Sequence, residues 1–239
     1  KLDLLDHRRY YFYTLIFVQR ACIYKPAVFW IYLYRNLWLY SMEKALEQSP
    51  VNLVKVVLFG PESTGKTTMS EYLAKHYNTV WVAEYAREYL QNKWNNERKT
   101  CEDSDLIRIA VGQMALENKL AKKADQVLIC DTDLLETKVY SEEYYGGLVH
   151  PELDEYAVKN QYDLYLLTDI DTPWEADDLR DRPHQREQMF RAFENALIKY
   201  PRPYIKLSGS IRQRMKIATG AIDKILAGRK DLDTYSREL

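Results

Sequence analysis

The segment Gly60-Pro61-Glu62-Ser63-Thr64-Gly65-Lys66-Thr67 constrains this chain more than any other, because it fits G-x-x-x-x-G-K-[ST], a loop that cradles phosphates. Its surroundings are those such a loop needs. Ahead of it, Asn52–Phe59 is a short apolar run rich in β-branched residues and reads as a buried strand. Behind it, Thr68–Tyr77 places Met69, Tyr72, Leu73 and His76 or Tyr77 at helical spacing. Strand, glycine loop and helix start together aim backbone N–H groups and the positive end of a helix at one anion. Gly60, Glu62, Ser63, Thr64, Gly65, Lys66, Thr67 and Thr68 are therefore the expected ATP contacts. In that arrangement Lys66 reaches the β- and γ-phosphates and the Thr67 hydroxyl holds Mg²⁺. The competing reading is an ordinary glycine turn before a helix.

With 239 residues and 46% hydrophobic content, the chain can bury one sizeable α/β core, with room for an appendage. A net charge of −1 offers no basic surface for nucleic acid. Cys22, Cys101 and Cys130 form no C-x-x-C pair and no metal-ligand spacing. So odd and sparse a set suits a reducing cytoplasm.

Residues 1–41 differ from the rest. They hold 12 of the 31 aromatics, no Gly and no Glu, and a net charge of +4 beside −5 for the remainder. Arg20, Lys25, Pro26 and Arg35 interrupt the apolar stretch, so no 18-residue apolar run exists and a membrane span is not expected. Three readings stay open for this aromatic-rich extension. It is a cationic helix lying in a membrane interface, a helical extension packed on the core, or a segment foreign to the domain. The last is preferred, since the first Met is Met42 and Met42–Glu47 looks like a start just before the first strand. The expected division is therefore 1–41 as an extension and 42–239 as the domain.

Four more strands follow: Asn78–Ala83, Gln126–Cys130, Asp163–Leu167 and Tyr204–Leu207, with helical stretches between them. The polar run Gln91–Asp103 reads as a loop, with Asp103 or Ser104 capping the next helix. Five apolar strands separated by helices mean right-handed crossovers and a parallel sheet covered on both faces, an α/β fold. Ligands in such sheets bind beyond the carboxyl ends of the strands. There lie the glycine loop, Glu84–Glu88, Asp131–Asp133 and the charged loop 168–186.

Those strand ends can run phosphoryl transfer. Asp131 closes an apolar strand, where an acid would hold Mg²⁺ beside Thr67; Asp133 shares the claim, and a turn or helix-cap Asp is the alternative. Glu84 is placed to orient an acceptor hydroxyl, and Arg87 to hold the acceptor, although both also suit a helix start. Arg180, Arg182 and Arg186 lie in a loop that reads as a lid closing over the transferring group, with Arg182 the preferred catalytic arginine. Trp174 is unusual in so polar a loop; it stacks on an acceptor ring or packs at an edge. A lid that excludes water favours a kinase over a hydrolysing ATPase.

Taken together, GPESTGKTT, EYAREYL, IAVGQ, CDTDLLET with the following Tyr140, and YDLYLLTDIDTPWEADDLRDRP resemble the ribosylnicotinamide kinase domain of NadR-type proteins, over about residues 52–220. The resemblance implies ATP- and Mg²⁺-dependent phosphorylation of the ribose 5′-hydroxyl of nicotinamide riboside, giving nicotinamide mononucleotide. It implies Lys66 and Thr67 on ATP and metal, and Asp131 near metal and acceptor. Glu84, Tyr85, Arg87 and Trp174 would lie near the riboside, and Arg180 and Arg182 in the lid, with Gln113 facing the cleft or solvent. Larger members carry a helix-turn-helix module and a nucleotidyltransferase domain; no H-x-G-H motif occurs here, so neither activity is expected in this chain. A kinase of another nucleoside or nucleotide, or an ATP-binding metabolite sensor without turnover, are the alternatives.

Overall fold

The computed structural model describes residues 42–180 and 183–235. The extension 1–41 and the lid residue Arg182 lie outside the described residues. Five strands form one sheet: β1 (Val54–Phe59), β2 (Trp81–Val82), β3 (Val127–Asp131), β4 (Leu164–Thr168) and β5 (Tyr204–Leu207). Their order is β2-β3-β1-β4-β5, and every neighbouring pair is parallel. This is the parallel α/β sheet expected from five apolar runs.

The α-helices that follow β1 are α1 (Lys66–His76), α2 (Tyr85–Glu97), α3 (Asp103–Ala121), α4 (Leu134–Tyr144), α5 (Pro151–Lys159), α6 (Arg186–Lys199) and α7 (Ile211–Tyr235). A strand's side chains alternate between faces, and the core divides accordingly. Val57, Phe59, Leu128, Cys130, Tyr165 and Leu167 pack against Leu135 and Val139 of α4 and Met189, Phe193 and Leu197 of α6. Val54, Val56, Leu58, Ile129, Leu164 and Leu166 face Met69 and Leu73 of α1 and Ala218 and Ile222 of α7. Both faces are therefore covered, which is why the strands read as continuous apolar runs.

Two sequence expectations need correction. Gln91–Asp103 is not a loop: α2 runs through it to Glu97, and α3 already begins at Asp103. None of the side chains of α2 is fully buried, so no apolar stripe marks its polar second half. Neither Asp103 nor Ser104 caps α3. The cap is Glu102, whose side chain takes the backbone N–H of Asp105 while the Asp105 carboxylate takes that of Glu102 at 2.8 Å, a reciprocal capping box.

The strand order positions the site. The chain leaves β1 for one side of the sheet and later crosses to the other, so a crevice opens where the carboxyl ends of β1 and β3 lie together. Leu58 is in register with Asp131. The glycine loop that follows β1 thus starts beside the acid that ends β3.

Candidate active site

The loop between β1 and α1 owes its shape to three residues in positive φ. Gly60 has φ 137°, Ser63 58° and Gly65 83°. At Gly60 a side chain is also excluded by packing, since a Cβ would come within 2.8 Å of Thr168 Oγ1. Thr64 ties the turn together: its hydroxyl donates to Pro61 O at 2.8 Å and lies 2.7 Å from Thr168 Oγ1. Behind the loop, the buried Arg214 of α7 donates from Nη1 to Thr64 O at 2.6 Å and from Nε to Gly209 O at 3.1 Å. Its Nη2 reaches Asp169 O and the Asp171 carboxylate.

Lys66 is folded back on its own loop, with Nζ donating to Gly60 O at 2.7 Å and to Pro61 O at 3.1 Å. Nζ also lies 3.2 Å from Glu136 Oε1. Burial alone would push the ammonium pKa down, but Glu136, Glu84 and Asp131 outweigh it and the net shift is upward. Lys66 is thus a charged lysine facing three carboxylates.

Thr67 donates to Asp131 Oδ2 at 2.6 Å. Asp131 Oδ1 is buried and has no hydrogen-bond partner. Burial, then the nearby Glu84 charge, push the Asp131 carboxyl up to about 7, against Lys66 and Thr67, which pull it down. A buried carboxylate oxygen without a partner, next to a hydroxyl, is a donor set that fits Mg²⁺, which takes one or two protein oxygens and fills the rest with water and phosphate. Among the described residues no cluster of three His, Cys, Asp or Glu forms an all-protein metal cage.

Asp133 is engaged elsewhere. Oδ1 accepts the Glu136 N–H at 3.0 Å, capping α4, and Oδ2 accepts the Tyr165 hydroxyl at 2.7 Å. The helix-cap alternative raised for Asp131 is realised at Asp133.

Glu84 stands at the start of α2 and lines three adjoining recesses. The first, about 370 Å³, is bounded by Glu62–Thr68 of the loop, by Arg87 and by Arg180. The second, about 180 Å³, has Trp94, Tyr140, Tyr144 and Tyr145 in its walls, together with Glu62, Glu84, Glu136 and Asp178. No lysine or arginine is among the described residues that line it. Arg98, which does not line it, lies 5.8 Å from the Trp94 ring centroid. The third opens at Thr67, Asp131, Tyr85 and Arg180.

The other expected site residues divide. Gln113 is buried: Oε1 accepts Tyr85 N–H at 2.8 Å and Nε2 donates to Ala83 O at 3.3 Å, so it fixes the backbone around Glu84 and also lines the aromatic recess. The Tyr85 ring packs on Gly112 of α3 and lines only the third of these recesses. Arg87 pairs with Asp177, which also takes Arg180 Nε at 3.2 Å. Burial opposes the ionised Asp177, but Arg87 outweighs it and holds the carboxyl below its usual range. Trp174 lines none of the three; the Arg186 guanidinium lies 5.7 Å from its ring centroid. Arg186 anchors the lid loop to the phosphate loop, donating to Thr172 O at 2.9 Å and Ser63 O at 3.2 Å.

Glu136, Trp94, Tyr144, Tyr145 and Arg214 were not singled out in the sequence. Trp94 carried the signal that marked Trp174, a large aromatic in a polar run, but it fell in the stretch read as a loop. Glu136, Tyr144 and Arg214 fall on helices and Tyr145 just past the end of α4, where nothing in the spacing separates a cleft-facing side chain from a core one.

Residues 55–214, more than half of the chain, match the AAA domain family. The chain belongs to that family. It is 31% identical over 152 residues to the trifunctional NAD biosynthesis/regulator protein NadR of Salmonella typhimurium (strain LT2), across 64% of this chain and 36% of that protein. The chain thus matches about a third of the length of this curated relative. The likeness to NadR-type proteins read from the motifs is borne out. Among solved structures, a NadR protein in complex with NR superposes with a TM-score of 0.58 at 20% identity, over 73% of this chain and 51% of that one. Deoxyadenosine kinase from M. mycoides superposes with a TM-score of 0.55 at 14% identity, over 72% of this chain and all of that one. The fold is a kinase-like P-loop fold.

Proposed function

We propose that this AAA-family domain transfers the γ-phosphoryl group of ATP to the ribose 5′-hydroxyl of nicotinamide riboside, in the cytoplasm, with 42–239 as the catalytic domain. The aromatic, acidic recess beside the phosphate loop carries this reading. Trp94, Tyr140, Tyr144 and Tyr145 line it with aromatic rings, and Glu62, Glu84, Glu136 and Asp178 line it with acidic groups. A pyridinium ring is flat and cationic, so it gains from both the π faces and the carboxylates. The solved NadR protein in complex with NR and the NadR-type relative support the same acceptor.

The roles follow from placement. Loop amides from Glu62 to Thr68 hold the phosphates, and Lys66 unfolds from Gly60 and Pro61 to reach the β- and γ-oxygens. Thr67 and Asp131 would hold Mg²⁺, whose chemistry there would be to supply positive charge to the phosphates. Glu84, lining both recesses, accepts the proton of the attacking hydroxyl. Arg180 and Arg182 move from the lid onto the transferring group, and Arg87 gives up Asp177 to meet the substrate.

The test incubates the full chain with Mg²⁺, ATP and nicotinamide riboside, with nicotinic acid riboside, uridine, cytidine and adenosine as rival acceptors. Nicotinamide mononucleotide is the expected dominant product. Faster phosphorylation of an uncharged nucleoside would replace the acceptor and keep the kinase. ATP binding without any turnover would leave a sensor.

A further inference from the structure

Glu136 has so far been one acidic group among four in the wall of the acceptor recess, yet it stands where the two substrates meet. The residue is 2% exposed and lines the aromatic recess. Oε2 lies 3.4 Å from the Gly60 amide, and Oε1 lies 3.2 Å from Lys66 Nζ without the geometry of a hydrogen bond. Its backbone N–H is fixed by the Asp133 cap, so α4 cannot easily carry the side chain away.

Lys66 cannot serve Glu136 and the phosphates fully at once. To reach a nucleotide it must leave the Gly60 and Pro61 carbonyls and draw off from Oε1. Burial pushes the Glu136 carboxyl well above the usual carboxylate range and Lys66 pulls it back. The lysine's departure therefore strips the ionised group of its counter-ion, which is costly unless a proton or another donor replaces it. A hydroxyl-bearing acceptor in the adjoining recess brings such donors to the same wall.

We propose that Glu136 is a positioning residue that couples the two clefts: it restrains Lys66 while the phosphate site is empty and takes an acceptor hydroxyl once the nucleotide claims the lysine. This rests on the two-substrate reading above. Each substrate then binds more tightly in the presence of the other, and the gain is reciprocal.

The experiment measures, by calorimetry on the full chain, the affinity of a non-hydrolysable ATP analogue with Mg²⁺, of nicotinamide riboside, and of each with the other saturating. Wild type is expected to show a coupling of roughly tenfold. Glu136→Gln, which keeps the shape and removes the charge, is expected to bind the analogue alone severalfold more tightly and to lose the coupling. Glu136→Asp retains the charge and recovers part of the coupling, which a purely structural role would not require. Unchanged coupling in Glu136→Gln, or weaker binding of the analogue alone, overturns the proposal. If the riboside binds neither form, the acceptor assignment fails, and the analogue arm alone decides whether Glu136 restrains Lys66.

Discussion

Thr132 sits between two buried aspartates with φ at 75°, a conformation costly for a β-branched residue. Its amide still bonds Leu58 O at 3.2 Å, so the strain falls where β3 leaves the sheet. The turn also breaks the strand alternation that would put Asp131 and Asp133 on one side. Asp131 faces Thr67 and the crevice, whereas Asp133 faces Tyr165 and the start of α4. Two identical side chains two residues apart therefore do different work. Asp131→Asn is expected to raise the Mg²⁺ concentration for half-maximal activity by about tenfold or more, read from a metal titration at fixed ATP. An unchanged titration would move the metal role elsewhere. Asp133 is a stability matter. Burial, against the pull of Tyr165, pushes its carboxyl up to about 6. The folded state thus binds this proton more tightly than the unfolded one. Its advantage is complete below about pH 4 and drains away as pH rises through the folded value. Denaturant unfolding of wild type against Asp133→Asn should show wild type losing about 2 kcal/mol relative to the variant between pH 4 and 7. A constant difference would contradict that.

At the scale of elements, α2 and α3 set where Glu84 stands. Gly112 is a helix-interior glycine because Tyr85 occupies its side-chain space: a Cβ there would lie 2.1 Å from Tyr85 Cε1. Gly112→Ala is expected to destabilise the fold by about 1–3 kcal/mol through overpacking, despite alanine's better helix propensity. Removing the ring as well, in Tyr85→Ala/Gly112→Ala, should recover part of that loss, which a double-mutant cycle of melting temperatures would read. The sequence held Tyr85 and the IAVGQ glycine, but nothing in spacing said that they touch. The same limit explains α2. Its first turn was legible, and its second half was not, because Asn95, Asn96 and Glu97 face water and leave no periodic apolar signal. Buried strands are the opposite case. β1, β3 and β4 are enclosed on both faces, so hydrophobicity alone marked them to within a residue or two.

At the scale of the molecule, phosphate loop, lid and last helix form one connected unit, and Arg214 joins them. Its guanidinium bonds Thr64 O, Gly209 O and Asp169 O and pairs with Asp171, while Asp171 also accepts the Gly209 amide. The glycine motif was plain in the sequence, but the support beneath it comes from a residue 150 positions away. Only the strand order, with β4 beside β1 and α7 packed behind α1, brings them together. Arg214→Ala leaves the buried Thr64 carbonyl without this donor, frees the Gly209 carbonyl to water, and removes the counter-ion of Asp171. The expected cost is about 2–4 kcal/mol, discounted for the partial exposure of Asp171. Arg214→Lys keeps the charge but cannot reach four acceptors from one planar fork, so it should restore only part of the loss. Because the tie ends on the phosphate loop, the effect should extend to ligand binding. KM for ATP rises more than kcat falls, and ADP raises the melting temperature less than it does in wild type. Melting and ATP affinity both equal to wild type in Arg214→Ala would mean that the loop holds its shape unaided, and that α7 is a cover for the sheet and not a support for the site.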